Sequence, residues 1–246
     1  MLEGLYSAAA GMAAQQTRLD AVSNDLANES TPGYKPARVA FRDLVYQPAG
    51  IGALSGAARV GAGAAATIAG RTFEQGALQD TGQPTDVAIS GEGFLEVKRA
   101  DGSLALTRDG ALQLDAQGRL TTSGGELVQP PLTLPKGVTA AELKIGSDGT
   151  VSAAGKQLGR LALVTVRAPQ GLQPIGDSLY VPTTASGAPT AAPQTTTVVQ
   201  GSLEASSVDV GTAMVDMIDA QRSFELASRA ITVQDQILEI ANGVKR

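Results

Sequence analysis

Residues 210–242, VGTAMVDMIDAQRSFELASRAITVQDQILEIAN, decide how the rest of the chain reads. Met217, Phe224, Ile231 and Leu238 recur every seven residues, interleaved with Ala213, Ala220, Ala227, Gln234 and Ala241. A heptad stripe that alternates large and small side chains predicts one long helix packed closely along a single seam. Ser206, Ser207 and Asp209 offer capping oxygens and negative charge at its start. Gly243, Lys245 and Arg246 suit its finish, because glycine tolerates a left-handed terminus and cations complement the helix dipole. Glu225 and Arg229 make a well-oriented pair one turn apart.

The other end of the chain repeats the pattern more thinly. Leu2 to Asn28 holds no proline, and Leu5, Met12, Leu19 and Leu26 again recur every seven residues, with Leu2, Ala9, Gln16 and Ser23 as a partner stripe. This predicts a second helix with a narrow coiled-coil-like seam. Thr31-Pro32-Gly33 ends it, since proline disfavours helix at the residue before it and Pro-Gly favours a turn. Asn24 and Asn28 sit one turn apart beside Asp25. Their amides suit hydrogen bonds to a neighbouring helix or loop, and equally the local turn chemistry common at helix ends.

Neither helix is expected to persist alone. Each large seam residue contributes about 1.5–3 kcal/mol on burial, whereas ordering each backbone residue costs about 1–2 kcal/mol. Pairing the two ends with each other buries one seam, and the remaining faces then call for further helices from other copies of the chain. The other arrangement open at this point is a two-helix cap docked on the chain's own β domain.

Between the ends, residues 35–75 are expected to form an extended linker, because 48–70 are Gly/Ala-rich with Arg59 as the lone charge. From 76 to 202 the pattern becomes short β segments separated by Asp101-Gly102, Asp109-Gly110, Gln117-Gly118 and Gly124-Gly125, as in a meander of hairpins. Expected strands are Asp86–Ser90, Phe94–Lys98, Leu104–Thr107, Ala111–Leu114, Leu143–Ile145, Arg160–Val166 and Thr196–Gln200, with Thr183–Pro193 as a surface loop. The expected fold is therefore α+β. Residues 1–34 and 203–246 form a helical assembly domain, 35–75 a linker, and 76–202 a central, mainly antiparallel β domain.

Composition removes most chemistry. The 246 residues include neither cysteine nor histidine, which excludes disulfides, thiol catalysis, Cys/His zinc sites and His-based triads. A net charge of −5 argues against nucleic-acid binding. No run of about 18 apolar residues exists for membrane insertion. The first charge is Glu3 and the apolar stretch breaks at Gln15 and Gln16, unlike a cleaved secretory signal. Residues 61–66, GAGAAA, fit a loose dinucleotide pattern but sit in the linker, without the βαβ setting it needs. No catalytic residue, cofactor site or metal site is expected.

Three ordered blocks carry a resemblance. SNDLANESTPGYK (23–35), TGQPTDVAISGEGFLEV (81–97) with TRDGALQLDAQGRL (107–120), and QGSLEASSVDVGTAMVDMIDAQRSFELASRAI (200–231) resemble the signatures of the bacterial flagellar rod and hook protein family. Ser207 departs from it, standing where the family usually has Asn. FRDLVYQ (41–47) and ARVGAGAAATIAG (58–70) resemble the extension of the family's distal rod members, with proximal rod members as the other reading. The resemblance implies a non-enzymatic subunit that polymerises helically through its terminal helices into the periplasmic drive shaft. It further implies export through the flagellar type III apparatus without a cleaved signal, and contact with other rod proteins, hook protein and envelope ring proteins. A non-enzymatic extracytoplasmic binding module is the rival from another class. The expected assembly interface is Leu5, Met12, Leu19, Asn24, Leu26 and Asn28, together with Met217, Phe224, Ile231 and Leu238.

Overall fold

The computed structural model describes residues 2–44, 46–48, 59–135 and 137–243. They fall into two compact units, one drawn from Met1–Ala27, Ala37–Ala69 and Asp209–Arg246, the other from Asn28–Pro36 and Gly70–Val208.

The first unit is built on helices α1, Leu2–Ala27, and α2, Val210–Gly243. They run antiparallel: Gly4 faces Gln234 near one end, and near the other Arg18 Nη2 meets Asp216 Oδ1 at 2.6 Å. Small residues let the axes approach. Ala14, Ala21, Ala213 and Ala220 are buried, and a Cβ on Gly4 would lie 2.8 Å from Gln234 Oε1. Asp209 caps α2 by accepting the Thr212 amide at 2.6 Å. That backbone bond holds the Asp209 carboxyl below the ordinary carboxylate range. The cap is therefore intact at neutral pH and weakens as pH falls through the depressed value.

Strands Ala37–Asp43 and Ala64–Arg71 pair as a ribbon, and Tyr46–Pro48 pairs with Arg59–Gly61. The segment expected to be a linker thus carries strands on both sides of 49–58, residues that lie outside the described ones. Alanine and glycine do not prevent pairing here, because a two-stranded ribbon draws its order from backbone bonds such as Leu44 N to Gly63 O at 2.9 Å.

The second unit is antiparallel β. Its nine-stranded sheet centres on Phe94–Lys98, which pairs with Leu104–Thr107, Leu127–Val128 and Leu163–Thr165. Alternation along this strand sends Leu95 and Val97 into one core, with Val87, Ile89, Leu120 and Val151, and Phe94 into a second, with Leu106, Val164 and Tyr180. Phe73 closes the second core edge-on, 5.4 Å from Phe94 and 5.1 Å from Tyr180 between ring centroids. Smaller sheets flank it: Leu143–Ile145, Thr150–Ala153 and Lys156–Arg160; Val87–Ser90 with Thr197–Gln200; and Leu78–Asp80 with Ser202–Glu204.

Two β expectations are corrected. Arg160–Val166 is not one strand: Lys156–Arg160 and Leu163–Thr165 belong to different sheets. Leu161 and Ala162 divert to Gly149 O and Gln129 O between them. Asp109-Gly110 is not a positive-φ hairpin turn like Gly102, Gly118 and Gly125. Gly110 lies so close to the Val87 backbone that a Cβ there would meet Val87 O at 1.6 Å.

Ala220→Leu should overpack the helix seam and cost about 1–3 kcal/mol. Circular dichroism is expected to show early loss of helix, with hydrogen exchange in the Phe94–Lys98 strand unchanged.

Candidate assembly surfaces and a buried charge cluster

A helix advances about 100° per residue, so its faces follow from the numbering. On α2, Ala213, Met217, Ala220, Phe224, Ala227, Ile231 and Gln234 share the face that carries Asp216 and Gln234 to α1. Met217 and Ile231 are half-buried there, Phe224 stays 36% exposed, and the side chain of Leu238 lies outside the described residues.

On α1 the structure separates what the heptad pattern joined. Gly4 and Arg18 face α2, while Ser7 and Ala10 lie against Gly63 of the ribbon, and Ala14 and Ala21 are buried on that same side. Leu5, Met12, Leu19 and Leu26 lie roughly 60–120° round from Gly4 and Arg18, all half-buried, while the expected partner residues Ala9, Gln16 and Ser23 are exposed. α2 also bears a second apolar stripe that the heptad reading missed. Met214, Ile218, Leu226, Val233 and Ile240 point away from its seam, with Leu226 66% and Ile240 67% exposed. Their own spacing of 4 to 8 residues was the available signal.

Asn24 is exposed in the last turn of α1. In the second unit, Asn28 serves a local turn: its carbonyl accepts the Thr31 amide at 3.1 Å and its Oδ1 the Thr31 hydroxyl at 3.2 Å.

That unit also encloses a charge cluster that no sequence pattern announced. The side chains of Lys35 and Glu204 are 0% exposed, and Lys35 Nζ lies 2.6 Å from Glu204 Oε1. Arg108 Nη1 reaches Glu204 Oε2 at 2.9 Å. Lys35 also donates to Glu74 O, the Gly76 amide donates to Glu204 Oε1 at 2.9 Å, and Arg108 Nη2 donates to Gly91 O at 2.8 Å. Arg108 lies over the Phe94 ring, and Arg71 over Tyr34 while donating to Lys35 O. Burial pulls the Lys35 ammonium below the ordinary lysine value, against the opposing pull of Glu204. Burial also pushes the nearby Tyr180 phenol up to about 12, so it stays neutral.

Gly33 explains the Pro-Gly of the first block. Its φ is +65°, its amide donates to Glu204 O at 2.7 Å, and a Cβ there would lie 2.6 Å from the Arg108 carbonyl carbon. Ser207, the departure noted above, donates its amide to Tyr34 O. Its buried hydroxyl has no hydrogen-bond partner among the described residues.

Residues 5–35 match the family described as flagella basal body rod protein, 88–153 the flagellar hook protein FlgE/F/G D1 domain, and 199–244 the flagellar basal body rod FlgEFG protein C-terminal region. The chain therefore belongs to the flagellar basal-body rod protein family, and it is a structural subunit of that kind. It is 38% identical to the flagellar basal-body rod protein FlgG of Borreliella burgdorferi over 264 residues, covering 100% of both chains. It is 37% identical to FlgG of Bacillus subtilis over 265 residues, again covering 100% of both. It is 34% identical to the rod protein FlgF of Salmonella typhimurium, with 96% of this chain and 95% of that one covered.

Charge balance in the cluster yields an asymmetric expectation. Lys35→Met leaves Glu204 paired with Arg108, whereas Glu204→Gln leaves two buried cations without a buried anion. Glu204→Gln should cost about 3–5 kcal/mol, and Lys35→Met clearly less. Urea unfolding followed at the β unit checks the order.

Proposed function

We propose that this protein is a distal-type subunit of the flagellar rod, polymerising helically through its terminal helices into the shaft that transmits torque. The observation that carries this reading is a pair of unlike apolar stripes on the helix pair, one half-buried and one exposed. One is Leu5, Met12, Leu19 and Leu26 on α1; the other is the Met214–Ile240 stripe on α2. Two different faces that meet head to tail between identical copies propagate an open helical filament unless the rotation closes a ring. Met217, Phe224 and Ile231 act one step earlier, by holding the two helices of one copy together.

The FlgG-named relatives support the distal position over a proximal one. Its partners are other copies of itself, the rod and hook proteins at either end of its segment, and envelope ring proteins around the shaft. It works in the periplasm and catalyses nothing.

Leu26→Asp and Leu226→Asp should each block polymerisation while leaving the helix pair and the β unit folded. Phe224→Asp should block it by opening the helix pair itself. Sedimentation and circular dichroism of the purified variants separate the two effects, and normal assembly by all three sinks the reading. Labelling along isolated basal bodies checks the distal position.

A further inference from the structure

Lys35 and Glu204 lie 169 residues apart in sequence yet share one dry contact. Every group that satisfies the cluster comes from a distant segment: 33–36, 71–76, 91, 108 and 204–207. Before Ser202–Glu204 pairs with Leu78–Asp80, the surroundings offer Lys35 the like charge of Arg108 and no buried anion, only the charge of the exposed Glu74 carboxylate. Burying an ammonium under those conditions is strongly unfavourable. Glu204 also supplies the backbone oxygen that receives the Gly33 amide, and Tyr34 O receives the Ser207 amide at 3.2 Å. The stretch before Lys35 and the stretch after Glu204 are thus bonded to each other inside the same unit.

We propose that the Lys35–Glu204–Arg108 cluster is a completion clasp. The stretches that flank the two helices, 28–36 and 201–208, lock into the β unit in one late step that waits for Glu204. In a chain that emerges N-terminus first, the first signature block is then fixed last. A subunit whose C-terminal strand has not arrived cannot seat its N-terminal flank, so an incomplete chain does not present a finished pair of ends. The clasp is independent of the stripes on the helices and stands whether or not those stripes assemble.

Pulse-labelling hydrogen exchange during refolding of the full-length protein tests it. The amides of Gly33, Thr72 and Ala205, bonded to Glu204 O, Pro36 O and Ala77 O, should gain protection together. They should do so roughly threefold or more later than the amides of Phe94–Lys98 and Leu104–Thr107. Lys35→Met keeps the Arg108–Glu204 pair and removes the charge that has to wait. In that variant Thr72 should become protected with the sheet, while Ala205 stays late. Wild-type protein in which Thr72 is protected ahead of Ala205 overturns the proposal, and so does Lys35→Met with one joint late phase. Should the variant fold too weakly to trap, the wild-type order alone decides.

Discussion

The carboxylate of Glu204 sits in a dry interior and is shared by Lys35, Arg108 and the Gly76 amide. An anion held there constrains everything around it. It requires two long cations to reach it from different directions, and it requires backbones close enough to deliver an amide. Gly33 and Gly76 meet the second demand, since a Cβ on Gly76 would lie 2.1 Å from Ala205 O. The aromatic rings of Phe94 and Tyr34 face the two guanidiniums of Arg108 and Arg71, where a π face partly replaces lost hydration. The Thr-Pro-Gly-Tyr-Lys run is thereby explained residue by residue: a turn, a close approach, a ring under a cation, and a buried charge.

The helical unit obeys a different constraint. Alanine and glycine at its interface contribute little transfer energy per residue, so close approach and backbone order matter more than apolar area. Large apolar residues also stand on the outer face of α2, Leu226 and Ile240 among them, a display a solitary protein has little reason to make. Membership of the rod family and this outward display are consistent with each other.

Much of this was legible beforehand. The α2 seam was readable because its large and small residues fall on one face. Phe94–Lys98, Leu104–Thr107 and Leu143–Ile145 were readable because their apolar residues are local and bounded by turn residues. On α1, periodicity reports where large apolar residues lie and not which side a partner takes. The ribbon was missed because Ala64–Arg71 carries no strand-like alternation and depends on pairing with a segment far along the chain.

Local periodicity and turn chemistry determined by themselves that this is an α+β chain with helical ends, and the absence of cysteine and histidine excluded thiol and imidazole chemistry. Those properties depend on neighbours a few residues away, and so they are written in short windows of sequence. Only the tertiary structure decided which face of α1 meets α2 and which anion neutralises Lys35. A side chain's partner across 169 residues is set by how the sheets bring distant segments together, and no periodicity encodes that distance.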